Sequence, residues 1–256
     1  MGGVLSASGD SEVALQGAPV ISKTAVAGLV KQFAWKDVAR ALDANPKLFK
    51  HRDERGRNWL HLCCSIDLSS HPKLEAADSI RLATLLLDRG LGLDTPAFNE
   101  GEWQATPLWY AIGRGHNLKL AEFLLKRGCN PNHSLWAAVF SNNLDAIRLL
   151  IKYRADIDPG HPDGTPFMGA IKWSCFAAAK VLLELGANVD VQDTKGMTAL
   201  HYMLGKDSDK EHFRMIVAHG ARGDIKNRKG QTAAEIMCRK RDPELREMAA
   251  RLKTRG

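Results

Sequence analysis

The 256-residue sequence is poor in cysteine and has no apolar run long enough to cross a membrane. A spanning helix needs about 20 consecutive apolar residues, and no stretch approaches that length. The five cysteines form no C-x-x-C pair, and an odd number of them cannot all be joined in disulfides. These absences argue against a membrane-spanning protein and a disulfide-stabilised secreted one. They predict free thiols in a reducing, cytoplasmic environment.

The sequence also lacks the short motifs of common catalytic sites. It has no glycine-rich phosphate loop, no His-Glu-x-x-His zinc motif and no nucleophile elbow. The adjacent Cys63 and Cys64 would point about 100° apart on a helix, which suits metal chelation poorly and favours core packing. We therefore predict a protein that is not an enzyme and has no catalytic residues, cofactor or metal.

What the sequence does contain is a repeated phrase. It reads Gly164-Thr165-Pro166-Phe167, then Gly196-Met197-Thr198-Ala199-Leu200-His201, then Gly230-Gln231-Thr232-Ala233, and its threonines are 33 and 34 residues apart. A fixed period of this length predicts stacked, similar units rather than one globular core.

Each part of the phrase has a local physical reason. Glycine permits the positive φ of a tight turn, and threonine can cap the first free N–H groups of a helix. Proline then suits the first helical position. The second helix of a unit is expected to end at a glycine in the left-handed conformation, at Gly90, Gly128, Gly186 and Gly220.

The phrase, together with the later Gly-His, Leu-Leu and Gly-Ala-Asn elements, resembles the ankyrin repeat over about residues 24–252. The resemblance implies an all-α solenoid of helix–turn–helix units joined by β-hairpin-like turns, with about five full repeats plus caps. It also implies that His61 and His201 are structural histidines that bond neighbouring turns.

On this interpretation the chain divides into a flexible tail at 1–21 and an ankyrin-repeat domain at 22–256. The expected units are an N-terminal helical cap at 22–52, repeat 1 at 53–96, repeat 2 at 97–131, an abbreviated repeat 3 at 132–158, repeat 4 at 159–192, repeat 5 at 193–226, and repeat 6, the C-terminal cap, at 227–256. An insertion at 67–77 lies between the two helices of repeat 1. It is either a contact loop or a tolerated extension.

Repeat 3 departs most from the family pattern. It lacks Gly-x-Thr-Pro, and Arg154 stands where the capping glycine is expected. Trp109 and Trp136 replace the family's histidine in repeats 2 and 3. We therefore expect a local irregularity of stacking around residues 130–160.

The resemblance also implies a concave binding surface made of turn tips and the exposed faces of first helices. Carried over by position, it gives Glu102, Trp103, Arg114, Phe140, Ser141, Lys172, Trp173, Lys195, Lys206, Lys229, Arg239 and Lys240. Trp103, Phe140 and Trp173 are either binding hot spots or members of a local core. The predicted function is a non-catalytic protein–protein interaction module, an adaptor or an inhibitor, and the predicted state is a monomer.

Charge leaves a second function open. The net charge is +7, and residues 222–256 hold 11 Lys and Arg against 5 Asp and Glu. A solvated cap is the favoured interpretation, and the alternative is a binder of an anionic surface, either nucleic acid or membrane. The start Met1-Gly2-Gly3-Val4-Leu5-Ser6 also fits the loose N-myristoylation pattern; an unmodified start is the favoured interpretation, and a membrane anchor at Gly2 is the alternative.

Overall fold

A computed structural model describes residues 21–100, 103–206 and 208–253, including all of their side chains except those of residues 99, 100, 103 and 253. The predicted tail therefore lies, apart from Ile21, outside the described residues. So does Gly2, with its predicted acylation.

Within the described residues the chain forms fourteen α-helices in seven consecutive pairs. The helices are α1 Lys23–Lys31, α2 Trp35–Ala44, α3 Trp59–Cys64, α4 Ala76–Asp88, α5 Pro107–Gly113, α6 Leu118–Lys126, α7 Leu135–Phe140, α8 Leu144–Lys152, α9 Pro166–Lys172, α10 Phe176–Glu184, α11 Ala199–Gly205, α12 Lys210–Ala218, α13 Ala233–Cys238 and α14 Pro243–Lys253. Short 3₁₀ helices cover Pro46–Lys50, Leu68–Ser70 and Asn132–Ser134. Two short antiparallel strands, β1 Asn99–Glu100 and β2 Trp103–Gln104, precede α5.

The helix ends follow the repeated phrase. The hydroxyls of Thr106, Thr165 and Thr232 accept the N–H of the residue three positions on, at 3.1–3.3 Å. The first helical residue of α5 and of α9 is proline. The glycines predicted to close second helices have φ of 100°, 90°, 96° and 87° at Gly90, Gly128, Gly186 and Gly220, which confirms their role as left-handed caps.

The units bury their apolar residues by stacking in order. The first helices α3, α5, α7, α9, α11 and α13 each pack on the next one, and second helices likewise pack on neighbouring second helices. The residue two positions after the cap points into the core: Leu60, Leu108, Phe167 and Leu200 are buried, and so is Leu135, the first residue of the uncapped α7. One continuous core therefore runs through the units, and the predicted all-α solenoid is confirmed.

The insertion in the second helix pair is shorter than predicted. Helix α4 begins at Ala76, so the last two residues of the predicted 67–77 insertion belong to the helix. Ala77 is exposed, so this first turn adds no inward-facing apolar residue and leaves no signal in the apolar periodicity. The remaining turn is held by Asp67, which accepts the N–H and the hydroxyl of Ser69 at 2.9 and 2.8 Å.

Between residues 130 and 160 the departure from the pattern lies in the helix ends, while α7 still packs on both α5 and α9. The 3₁₀ helix Asn132–Ser134 leads directly into α7, which starts without a side-chain cap. Arg154 takes the left-handed conformation, with φ of 65°, in the place where the other units have glycine. A side chain is strained there, so this unit keeps the backbone path of the others at a local cost.

Candidate functional site

The turns that precede the first helices form one continuous edge. The Thr194 N–H donates to the Pro162 carbonyl, and the Arg228 N–H donates to the Lys195 carbonyl, both at 3.1 Å. We call this edge, together with the exposed residues of α5, α7, α9, α11 and α13, the inner face. Bonds between consecutive turns align the turn tips, so side chains from different units can act on one ligand.

An aromatic cluster, made of Trp136, Phe140 and Trp173, lies in the middle of the inner face. The Trp173 ring meets Phe140 at 5.1 Å between centroids and 88° between planes, and it meets Trp136 at 5.7 Å and 72°. Phe140 is nevertheless 68% exposed and Trp173 44% exposed. The rings thus pack on one another without entering the core. They form a local cluster, as one interpretation predicted, and they stay exposed, as the binding interpretation requires.

A groove of about 750 Å³ opens beside this cluster. It lies between α7, α9 and the turn before α9, and its lining residues are Asn132, His133, Trp136, Pro159, Gly160, His161, Asp163, Gly169, Lys172 and Trp173. A Cβ on Gly169 would lie 2.5 Å from Cζ3 of Trp136. Only glycine at this position therefore lets the Trp136 ring lie against α9.

Lys172 lines the groove, but its ammonium is committed within the protein. Its Nζ donates to the Asp163 carbonyl at 2.6 Å and to Oδ2 of Asp193 at 3.3 Å. It also lies 4.5 Å from the centre of the Tyr202 ring. A partner that used this predicted contact residue would have to compete with these bonds.

Asp193 holds the turn of the fifth unit. Its Oδ1 accepts the N–H groups of Lys195 and Met197 at 2.9 and 3.0 Å, while its Oδ2 accepts from Lys172 and from the Tyr202 hydroxyl. Burial acts to raise the pKa of this carboxyl, but the hydrogen bonds from Tyr202, Met197, Lys195 and Lys172 keep the pKa below its usual value. Asp193 is therefore a buried carboxylate that serves the scaffold.

Sequence reasoning missed this role, although a signal for it exists. Asp53 and Asn227 hold their turns in the same way, by accepting the N–H groups two and four residues on. Each of the three stands five residues before the residue that caps the next helix. An Asp or Asn at that offset marks a regular turn.

The two predicted structural histidines lie inside the regular units. Their Nδ1 atoms accept the N–H of the helix-capping residue, Asn58 for His61 and Thr198 for His201, at 3.2 Å. The Nε2 of His201 also bonds the Gln231 carbonyl at 3.1 Å, across to the next unit. Burial lowers the pKa of His61 to about 4 and also lowers the pKa of His201, so both rings are neutral near pH 7.

The cysteine pair is part of the core. Cys63 and Cys64 are fully buried, and the Cys63 thiol donates to the Ser79 carbonyl at 3.6 Å. Burial raises the pKa of both thiols, so they stay protonated and are poor nucleophiles.

The remaining predicted contact residues are dispersed along the inner face. Arg114, Lys195, Lys206, Lys229 and Arg239 are exposed, whereas the Ser141 hydroxyl donates to the Ala137 carbonyl at 2.8 Å. Lys240 lines a separate hollow with Leu204 and Phe213. Glu102 lies outside the described residues, and of Trp103 only the backbone, in β2, is described.

Comparison with known proteins identifies the repeat. Residues 133–193 match a family model for ankyrin repeats in three copies, and residues 103–134 match the model for a single ankyrin repeat. The crystal structure of the human ASB11 ankyrin repeat domain superposes with a TM-score of 0.65 at 20% identity, over 88% of this chain and 96% of that one. The ankyrin repeat domain of Bcl-3 gives 0.69 at 20% identity, over 88% and 97%. The chain therefore contains ankyrin repeats over residues 103–193, and it shares the fold of ankyrin repeat domains. Ankyrin repeat domains generally mediate protein–protein interactions and are typically non-catalytic.

The curated relatives of this ankyrin repeat protein have diverse names. They include the potassium channel AKT2/3 of Arabidopsis thaliana, 33% identical over 45% of this chain and 15% of the channel. The phosphocholine transferase AnkX of Legionella pneumophila is 32% identical over 48% of this chain and 14% of the transferase. The chain thus matches about a seventh of each of these proteins. Its own described helices include none that is both long and apolar enough to span a bilayer.

Proposed function

We propose that this ankyrin repeat protein binds a partner protein through its inner face, as an adaptor or as an inhibitor that occludes its partner. The observation that carries the proposal is the aromatic cluster. Large apolar rings that stay exposed on a soluble surface are typical of binding sites, and tryptophan is enriched among residues that dominate binding energy. The groove beside the cluster offers a place for an apolar side chain of the partner.

The proposal includes the absence of catalysis. Histidine and cysteine side chains with altered pKa values often act in catalysis, but here they serve the fold. His61 and His201 cap helices, and the Cys63 and Cys64 thiols are buried. One matched relative is named as a transferase, but the match covers 14% of it. The ankyrin repeats of this chain are proposed to position partners rather than to react with them.

A monomeric state and a cytoplasmic location are also part of the proposal. All five cysteines are free thiols, and Cys63, Cys64 and Cys129 are buried. Burial raises the pKa of Cys129 to about 12, so this thiol is also protonated. Free, protonated thiols are typical of proteins in a reducing compartment.

The alternative, an anionic-surface binder, has one observation in its favour. Between residues 222 and 253 the carboxylates are engaged within the protein, while Lys226, Arg228, Lys229 and Arg239 are exposed. Binding to nucleic acid or membrane through these cations would weaken steeply with salt and would not depend on Trp173. Binding through the aromatic cluster would show the opposite behaviour.

Affinity capture with quantitative mass spectrometry tests the main proposal. The bait is the full chain, compared with a Phe140→Ala/Trp173→Ala variant and with the control Phe123→Ala, whose ring is on second helix α6 beneath Arg127. We expect the double variant to lose specific partners that the control retains. Equal recovery of the same partners by all three baits, at matched thermal stability, would contradict the inner-face assignment.

A further inference from the structure

The acidic side chains between residues 222 and 253 are engaged within the protein. Asp242 and Glu244 accept from Lys210 at 2.7 and 3.4 Å, and Asp224 pairs with Arg222 at 2.8 Å. The remaining two are also occupied, because Glu247 pairs with Arg251 and Glu235 accepts the Thr232 N–H at the start of α13. The formal excess of basic residues in this region is thus concentrated on a few side chains.

Three of them, Arg228, Lys229 and Arg239, form a basic strip on the inner face together with Lys195 and Lys206 of the preceding unit. All five are exposed, and none pairs with a carboxylate of another described residue. The turn tips of Lys195 and Arg228 are joined by a backbone hydrogen bond. The strip is therefore a continuous feature of two adjacent units.

The strip adjoins the aromatic cluster. Trp173, Lys206 and Arg239 are the C-cap residues that directly follow α9, α11 and α13. They therefore occupy equivalent positions in three successive units. Lys206 also donates its ammonium to the Lys172 carbonyl, at the edge of the groove. Along the inner face, the apolar site in one repeat unit is thus followed by basic side chains in the next two repeat units.

The spacing of the two features fits a short extended segment. Helix α9 packs on α11, and α11 on α13. Packed helices lie about 8–10 Å apart, which places α13 roughly 16–20 Å from α9. An extended chain advances about 3.3 Å per residue, so about five or six residues cover the distance.

From the groove, the strip and their spacing we infer that the inner face binds an extended acidic peptide segment of a partner protein. An apolar side chain of the segment fills the groove beside Trp136 and Trp173, and Asp or Glu residues about two to six positions away lie over the basic strip. Asp163, exposed at the groove, disfavours acidic residues at that end and so orients the segment. This inference rests on the proposed protein-binding function and specifies the partner's chemistry.

The aromatic geometry favours a peptide over single-stranded nucleic acid. Bases stack on free ring faces, and a nucleic-acid groove presents such faces in succession. Here Trp173 stands at 72° and 88° to its two ring neighbours, an edge-to-face packing rather than a row of parallel platforms. The rings form one side of the groove and do not offer a row of stacking surfaces.

The test is a selection of random dodecapeptides on the full chain, followed by fluorescence anisotropy with the most enriched peptide. The variants are Lys195→Glu/Lys229→Glu for the strip and Trp173→Ala for the groove. The matched control is Lys119→Glu/Lys180→Glu, which reverses two exposed charges on second helices α6 and α10. Competitors are a twelve-residue oligothymidine and phosphatidylserine vesicles. Circular dichroism confirms that each variant is folded.

We expect enriched peptides to combine an aromatic or aliphatic residue with acidic residues to one side. The strip variant should bind about tenfold or more weakly, Trp173→Ala should also bind more weakly, and the control should match wild type. Enriched peptides without acidic residues, or a strip variant equal to the control, would overturn the acidic-segment inference; loss on Trp173→Ala would still support the inner face. Failure to enrich any peptide, or tighter binding of oligothymidine or vesicles that is lost only in the strip variant, would overturn both.

Discussion

The fifth and third units of this solenoid use their polar residues differently. In the fifth unit Asp193 holds the turn, Thr198 caps the helix, His201 reaches the next unit, and Gly220 closes the second helix. The third unit has a 3₁₀ turn, an uncapped first helix and Arg154 in the glycine position. The side chains that a regular unit commits to its own turn are absent there; Trp136 lines the groove, and Phe140 is exposed against Trp173. Departure from the repeat is where the proposed binding surface begins.

Outside the apolar core, the largest expected effect is on the regular turn. Asp193→Ala removes the acceptor for two backbone N–H groups, Lys172 and Tyr202, so it should lower the free energy of unfolding by about 3 kcal/mol. Urea unfolding followed by circular dichroism measures the change. The matched control is Asp163→Ala, whose carboxylate is exposed and makes one weak contact to His161 at 3.8 Å. Equal losses for the two variants would show that the hydrogen bonds of the Asp193 carboxylate do not hold the turn.

Acid should destabilise the regular units through their histidines. Burial lowers the pKa of His61 to about 4, from 6.5 for an exposed imidazole, and it lowers the pKa of His201 in the same direction. Below about pH 6.5 the two imidazoles therefore bind protons in the unfolded chain but stay neutral in the folded chain. Stability is therefore complete above about pH 6.5 and falls as the pH approaches 4, by up to about 3 kcal/mol for His61 alone.

The slope of unfolding free energy between pH 7 and pH 4.5 measures this effect. His61→Gln should flatten the slope, whatever it does to stability at pH 7. The exposed His71 gives the control variant His71→Gln, which should leave the slope as it is in wild type. An unchanged slope in His61→Gln would show that the buried ring is not the source.

Loss of a groove aromatic should cost little stability. Phe140 is 68% exposed and contacts Trp173 edge to face, so Phe140→Ala should lower the unfolding free energy by about 1 kcal/mol. The buried Phe167 lies on the neighbouring first helix, and Phe167→Ala should cost about 3–5 kcal/mol. Thermal unfolding of both variants gives the comparison. A loss for Phe140→Ala close to that of Phe167→Ala would mean that the aromatic cluster is part of the core.

The smallest expected effect is at the helix ends. Arg154→Gly should raise the unfolding free energy by up to about 1 kcal/mol, because glycine takes φ of 65° without strain. Gly186→Arg should lower it by a similar amount, since a Cβ there meets no neighbour and only the backbone is strained. Urea midpoints of the two variants should move in opposite directions. Movement in the same direction would contradict the strain argument.

Local rules in the sequence predicted most of the scaffold. The period, the threonine caps and the closing glycines such as Gly186 each depend on a few neighbouring residues, so they can be read from the phrase. The start of α4 at Ala76, inside the predicted insertion, could not be predicted because its first turn presents no apolar stripe. The Lys172–Asp193 bond and the contact of Trp136 with Gly169 join different units, and no local pattern contains them. Which of the predicted contact residues face a partner depends on such contacts between units.

The glycine at position 169 gives the groove an adjustable depth. A methyl group in place of its hydrogen would collide with the Trp136 ring, and that ring is part of the groove wall. Alanine or serine at 169 would therefore displace the indole and change the shape of the space offered to a ligand. Position 169 is thus an unexposed site at which one added carbon atom changes the shape of the surface above it.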